Sequence, residues 1–210
     1  MPHLVLFGDS TLDNGPYVRG GPDVAAQLRA LVPGDWRVTL AAVDGARADD
    51  VPRQVAGAPA DATHLVLSVG GNNALAHADI LNRPAANSAE VLGALADARD
   101  AFERAYAHAL DAVLALGRPT VACTVYNGNL AQPAGRLAVV ALTVFNDVIL
   151  RAAVARGVPA VELRLVCTEP ADYANPIEPS VAGGEKIARA VARAVGALGG
   201  GGAGARVTAL

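Results

Sequence analysis

The chain is poor in several things that would point elsewhere. Aromatic residues make up only 4% of the 210 residues, too few for the stacking platforms that hold single-stranded nucleic acid. Lys and Arg total 17 against 20 Asp and Glu, a formal net charge of −3. No basic excess exists to drive binding to nucleic acid or to an anionic membrane surface. The two cysteines, Cys123 and Cys167, form neither a disulfide framework nor a CxxC pair, and two buried thiols are the expectation. No His, Cys or carboxylate cluster has metal-ligand spacing, and no GxGxxG or phosphate-loop fingerprint occurs, so neither metal nor cofactor is expected. The longest strongly apolar run, Leu137 to Phe145, is nine residues, far short of the roughly 20 that span a bilayer. The N-terminus lacks a basic leader and runs from His3-Leu-Val-Leu-Phe7 straight into Gly8-Asp9-Ser10. No membrane span and a cytoplasmic location are therefore expected.

What is present is apolar: 52% hydrophobic residues with 18% charged. That composition excludes general disorder, and the length suits one domain. Short apolar runs alternate with helical patterns. Leu4–Phe7, Trp36–Val43, His64–Val69, Thr120–Tyr126 and Val158–Val166 read as strands. Asp23–Leu31 reads as a helix capped by Asp23, and Arg47–Val55 as a short one containing Pro52. Ser88 to Leu116, Arg136–Arg156 and Val181–Leu198 read as longer helices, with Ser88 as a cap and Gly117 and Gly157 as stops. Five strands alternating with helices predict an α/β fold: a three-layer α/β/α sandwich on a flavodoxin-like, five-stranded parallel sheet of order 2-1-3-4-5. Residues 1–198 form that single domain, followed by a Gly-rich flexible tail, 199–210.

In such sheets the working groups lie on loops at the carboxyl ends of the strands. Ser10 follows the first strand, where it can present a hydroxyl to a cleft or cap a helix. Gly45 follows the second strand, as a turn residue or as a close-approaching backbone donor. Asn72 follows the third, in Gly70-Gly71-Asn72-Asn73. Each alone is ordinary loop chemistry. Together, the Ser10 N–H, the Gly45 N–H and the Asn72 amide can converge on one oxygen, as an oxyanion hole requires.

These blocks resemble the SGNH, or GDSL-type, hydrolase family. Phe7-Gly8-Asp9-Ser10 matches its first block, Gly45 its second and Gly70-Gly71-Asn72 its third, over residues 3 to about 198. The resemblance implies a flavodoxin-like sandwich and a cofactor-free serine esterase or lipase-type hydrolase. It also implies Ser10 as nucleophile, with Ser10, Gly45 and Asn72 as the oxyanion hole. The family's last block carries Asp-x-x-His. Here the matching stretch is Asn175-Pro176-Ile177-Glu178, and Asn73 stands where the third block usually has Asp.

A replacement base must reach the Ser10 hydroxyl. His3 and His64 fall at the opposite end of the sheet, and His108 lies roughly 30 Å down a helix leading away. His77, five residues after Asn72, is on the correct side and is one alternative base. Glu178 is the other, with Asn175 to orient it; equally, it reads as a glutamate serving the N-terminus of the last helix. Asp9 and Asp13 read as caps, and Asp172 as a supporting acid or a turn residue. Two functions fit. One is a serine ester hydrolase acting on small to medium acyl or acetyl esters with a non-histidine base. The other is a catalytically inactive protein of the same fold that binds a carboxylate, acyl or sugar ligand.

Overall fold

The computed structural model describes residues 1–197 and 207–208. The strands are β1 His3–Gly8, β2 Arg37–Leu40, β3 His64–Ser68, β4 Thr120–Cys123 and β5 Ala160–Val161, all paired in parallel in the order β2-β1-β3-β4-β5. A sixth strand, β6 Val207–Thr208, adds to the sheet beside β5. It falls within the stretch expected to be a flexible tail; residues 199–206 and 209–210 of that stretch, and residue 198 before it, lie outside the described residues.

Three strands end earlier than their apolar runs, each for a local reason. After β2, the N–H groups of Ala41 and Ala42 both donate to Leu6 O, at 2.9 and 2.8 Å. The regular ladder stops there. After β4, Val125 turns away from the sheet and pairs with the Asn146 side chain, donating to Oδ1 and accepting from Nδ2, both at 2.8 Å. After β5, Glu162 accepts the Arg164 N–H at 3.2 Å and opens a 3-10 turn over Leu163–Leu165.

The helices are α1 Val24–Leu31, α2 Val51–Ala56, α3 Gly71–Leu75, α4 Ser88–Leu114, α5 Ala134–Ala155 and α6 Val181–Ala197. Asp23 caps α1, accepting the Ala26 N–H at 2.6 Å. The cap of α4 is Asn87, which accepts the Glu90 N–H at 3.2 Å; Ser88 is the first helical residue rather than the cap. The short helix expected over Arg47–Val55 divides into a 3-10 turn, Ala48–Asp50, and α2, with Pro52 in the first turn, where its missing N–H does no harm. Helix α3 is too short for periodicity to reveal.

Alternation along the central strands sorts the core into two layers. Leu4, Leu6, Val66 and Val121 face α1 and α6 through Val24, Leu28, Ile187 and Val191. Val5, Phe7, Leu65 and Leu67 face α2, α4 and α5 through Val51, Phe102, Leu110 and Ile149. Fully burying one such side chain contributes about 1.5–3 kcal/mol. Cys123 and Cys167 are buried, free thiols. By length and composition α5 is apolar enough to cross a membrane. In this fold its inner face, Phe145, Val148 and Ile149, packs in the layer beside α4.

Candidate active site

The site begins where β1 stops. Gly8 has φ +136°, and a Cβ there would lie 1.8 Å from Ser68 O. Only glycine lets β1 and β3 stay paired while the chain breaks out of the sheet. Gln54 clamps this point, accepting from Gly8 N and donating to Gly8 O, both at 2.8 Å. Asp9 then turns inward. Its buried carboxyl accepts the Thr11 N–H at 3.0 Å and faces the backbone of Gly70 and Gly71, bringing the first loop against the third. Burial nevertheless pushes the Asp9 carboxyl up to about 6, these backbone groups opposing the rise. Ser10 stands at the apex of the turn, 7% exposed. It caps no helix, since α1 starts at Val24.

The three donors named from the sequence lack a full set of partners. Among the described residues no backbone acceptor takes the Ser10 N–H or the Gly45 N–H. Gly45 adopts φ +79° in the exposed loop after β2, held by Asp44 N donating to Asp13 Oδ2 at 2.9 Å and Ala46 N donating to Val43 O at 3.0 Å. Asn72 sits in the first turn of α3. Its Nδ2 donates to Ala46 O at 3.0 Å, which couples it to the Gly45 loop and leaves one amide hydrogen over. Asn73 turns the other way and accepts the Ala48 N–H at 3.0 Å. Ser10 and Asn72 line one cleft of about 120 Å³; Gly45 lines the neighbouring groove beyond Ala46.

Glu178 lines the same cleft as Ser10. It is carried on a loop tied down from several sides. Tyr173 and Pro179 form an antiparallel bridge, and Ala174 N donates to Glu178 O at 2.8 Å. From outside the loop, Tyr126 OH donates to Ile177 O at 2.8 Å, Asn129 N to Pro176 O at 2.8 Å, and the buried Asn14 Nδ2 to Pro179 O at 3.2 Å. Glu178 is 7% exposed as a residue. Burial pushes its pKa up to about 7; the facing Ser10 hydroxyl opposes the rise, while the charges of Asp44 and Asp9 add to it. No hydrogen bond of full geometry spans the pair, and Glu178 Oε2 is buried without a partner. Tyr17 closes the acidic side. Its hydroxyl donates to Asp44 Oδ2 at 2.8 Å, and that bond, with burial and the nearby Glu178 charge, raises it to about 12.

Asn175 acts differently from the expectation that it orients the Glu178 carboxyl. Its Oδ1 accepts the backbone N–H groups of Ile177 and Glu178, each at 2.9 Å, so it shapes the tip of the loop and leaves the carboxyl alone. His77 lines the cleft with its ring 6.5 Å from that of Phe145 and forms no hydrogen bond with Ser10 or Glu178. His3 is buried among Thr39, Asp61 and Arg37, and His64 stacks on Trp36, both at the far end of the sheet. Asp172 is a structural anchor. It is 1% exposed, pairs with Lys186 at 2.8 Å, and accepts the N–H groups of Thr168 and Glu169. Among the described residues no His, Cys, Asp and Glu group is arranged to hold a metal ion. Sequence reasoning missed Tyr126, Tyr17 and Asn14 as supports. For Tyr126 a signal was available, its place at the carboxyl end of a strand; for the others only tertiary contact reveals the role.

A model of the GDSL-like lipase/acylhydrolase family matches residues 6–186. A comparison with curated proteins found no match. Among solved structures, the chain is similar to an extracellular lipase from Streptomyces rimosus, at 19% identity over 89% of this chain and 96% of that one, with a TM-score of 0.67. It is similar to a phospholipase A1 from Streptomyces albidoflavus, at 15% identity over 91% and 98%, TM-score 0.69. It is also similar to an acetylxylan esterase from Geobacillus stearothermophilus, at 19% identity over 93% and 94%, TM-score 0.62. At these identities the likeness is one of fold.

Proposed function

The chain belongs to the GDSL-like lipase/acylhydrolase family, and from that premise we propose that it hydrolyses carboxylic esters through an acyl-enzyme on Ser10, with Glu178 as the base. The observation that carries this reading is the meeting of the Ser10 hydroxyl and the buried Glu178 carboxyl in one cleft. A carboxylate in water is too weak a base for this task, with a pKa of about 4.3. A base suits neutral pH when its own pKa lies nearby, and burial supplies that shift here.

The reaction then runs in two halves. Ionised Glu178 takes the Ser10 Oγ proton as Oγ bonds to the acyl carbon. The carbonyl oxygen becomes an oxyanion, which the Ser10 N–H, the Gly45 N–H and the Asn72 amide stabilise. The intermediate collapses, the carbon–alkoxy bond breaks, and the departing alcohol takes the proton back from Glu178. In the second half Glu178 deprotonates a water, whose oxygen attacks the acyl-serine. Ser10 leaves with the proton and the carboxylic acid is released. Asn175 serves by holding the loop that carries Glu178. Substrates are small-molecule esters with small to medium acyl groups; no step needs a cofactor.

The test is intact mass after incubation with a fluorophosphonate probe. A single adduct, absent in Ser10→Ala, is the expected result. No adduct between about pH 5 and about pH 9 overturns the reading and leaves a ligand-binding protein.

A further inference from the structure

On the side of Glu178 the rim of the site is acidic. Asn14 Nδ2 donates to Pro179 O at 3.2 Å, so the segment after Ser10 lies against the residue that follows Glu178. From that segment Asp13 Oδ2 accepts the Asp44 N–H at 2.9 Å, and the Tyr17 hydroxyl donates to Asp44 Oδ2 at 2.8 Å. Two carboxylates and an aromatic ring are thereby gathered between the Glu178 loop and the loop that carries Gly45. Elsewhere in the fold acid is answered by base: Asp111 by Arg156, Asp172 by Lys186, and Asp50 by the exposed Arg53. Among the described residues neither Asp13 nor Asp44 pairs with a lysine or arginine. Glu178 gives a second, separate sign of an unmet partner. It is 7% exposed, lines the cleft, and keeps its Oε2 without a hydrogen bond. The charge of Asp44 reaches it, adding to the rise that burial gives its carboxyl.

Resting on the hydrolase reading above, we propose that Asp44, with Asp13 and Tyr17, selects esters whose alcohol carries a positive charge: an amino or quaternary ammonium alcohol. In that reaction the departing oxygen takes its proton from Glu178. It therefore leaves beside this carboxyl, and its substituent extends along the acidic rim. An anionic substituent is repelled there. A neutral one leaves both carboxylates without a counter-charge. A cation answers both, and an ammonium group is also attracted to the face of an aromatic ring. Asp44 and Asp13 are thus specificity residues for the leaving group, separate from the proton transfer at Ser10.

The experiment compares butyrylcholine with neohexyl butyrate, in which carbon replaces the charged nitrogen and the shape is kept. The kcat/KM of each is divided by its rate of alkaline hydrolysis, which corrects for the leaving group. The corrected ratio is expected to favour the cation about tenfold or more at low salt. It is expected to fall towards one as ionic strength rises from about 0.01 M to about 1 M. Asp44→Asn keeps an acceptor for Tyr17 and removes the charge; it is expected to lower the ratio roughly tenfold. Any change it causes in Glu178 acts on both esters and cancels. Asp13→Asn is expected to lower the ratio by a smaller factor, and it decides the matter if the first variant folds poorly. A wild-type ratio near one, a ratio indifferent to salt, or ratios unmoved in both variants would overturn the proposal and leave a neutral alcohol. Failure of the hydrolase reading is seen separately, as an unlabelled Ser10 in the fluorophosphonate assay. In that event calorimetry with butyrylcholine at low salt decides. Binding lost in Asp44→Asn supports the acidic site; binding unchanged there, or none at all, overturns it.

Discussion

At the scale of the residue, the proposed base links chemistry to stability. In the proposed mechanism Glu178 must be ionised to accept the Ser10 proton, and its pKa is pushed up to about 7. Activity is accordingly expected to rise with pH through about 7, measured as kcat/KM on a neutral ester. Glu178→Gln should lower kcat/KM by roughly 10²-fold or more and remove that inflection. The same shift has a thermodynamic sign. Because the folded pKa is above the unfolded one, Glu178 contributes stability below its ordinary range that is lost as pH rises through about 7. Glu178→Gln is neutral throughout. It is expected to melt with wild type near pH 5 and about 5 °C above it at pH 8 in a thermal scan. The sequence sets this glutamate between Pro176 and the paired glycines Gly183-Gly184. It left open whether the side chain served the last helix or the cleft, because burial of a carboxyl is a property of everything packed around it. Asn175 is the converse case: its neighbour in the motif was legible, its attachment to backbone N–H groups was not.

At the scale of the element, the loop before α6 is set by a contact that only glycine permits. A Cβ on Gly183 would lie 2.1 Å from Asp172 O and 2.9 Å from its carbonyl carbon. Both are backbone atoms that cannot swing aside. Asp172 cannot retreat either, being buried and tied to Lys186 and to two backbone N–H groups. Gly183→Ala is therefore expected to destabilise the domain by about 2 kcal/mol or more, a fall of roughly 5 °C in Tm, and to reduce kcat/KM through displacement of Glu178. Lys186→Met should lower Tm less, since the two backbone N–H groups still bond Asp172. Element starts were legible where a local signal marks them, as Asp23 does for α1. So were the helix stops Gly117 and Gly157, which close α4 and α5 at φ +65°; strand ends were not. The Asn146 side chain ends β4 and the doubled bond to Leu6 O ends β2, and neither leaves a trace in the periodicity. Asn87 and Ser88 are adjacent residues with the same capping chemistry, so choosing between them needed the backbone angles.

At the scale of the whole molecule, the parallel order of the sheet was readable because five apolar runs alternate with helices, and right-handed crossovers leave few arrangements. The sixth strand was not, since two residues beyond a glycine-rich stretch carry no pattern. The topology sets Ser10, Gly45 and Asn72 after three neighbouring strands, while the proposed base, Glu178, arrives from the opposite end of the chain. Those two parts of the site differ in how they are held. Ser10 is anchored to the central strands through Gly8 and Asp9, deep in the sheet. Glu178 hangs on a loop whose tip, Ala174 to Pro176, is exposed and whose outer ties, among the described residues, are single hydrogen bonds to Tyr126, Asn129, Asn14 and Cys167. Such a loop can open locally at a small fraction of the free energy that melts the sheet. On heating, ester hydrolysis is expected to fade reversibly several degrees below the Tm read from far-UV circular dichroism, with amide exchange near residues 174–178 rising first. Coincident loss of activity and structure would mean that the loop and the sheet unfold as one unit. On the proposed reading, the working temperature is set by the last loop and the survival temperature by the first strand.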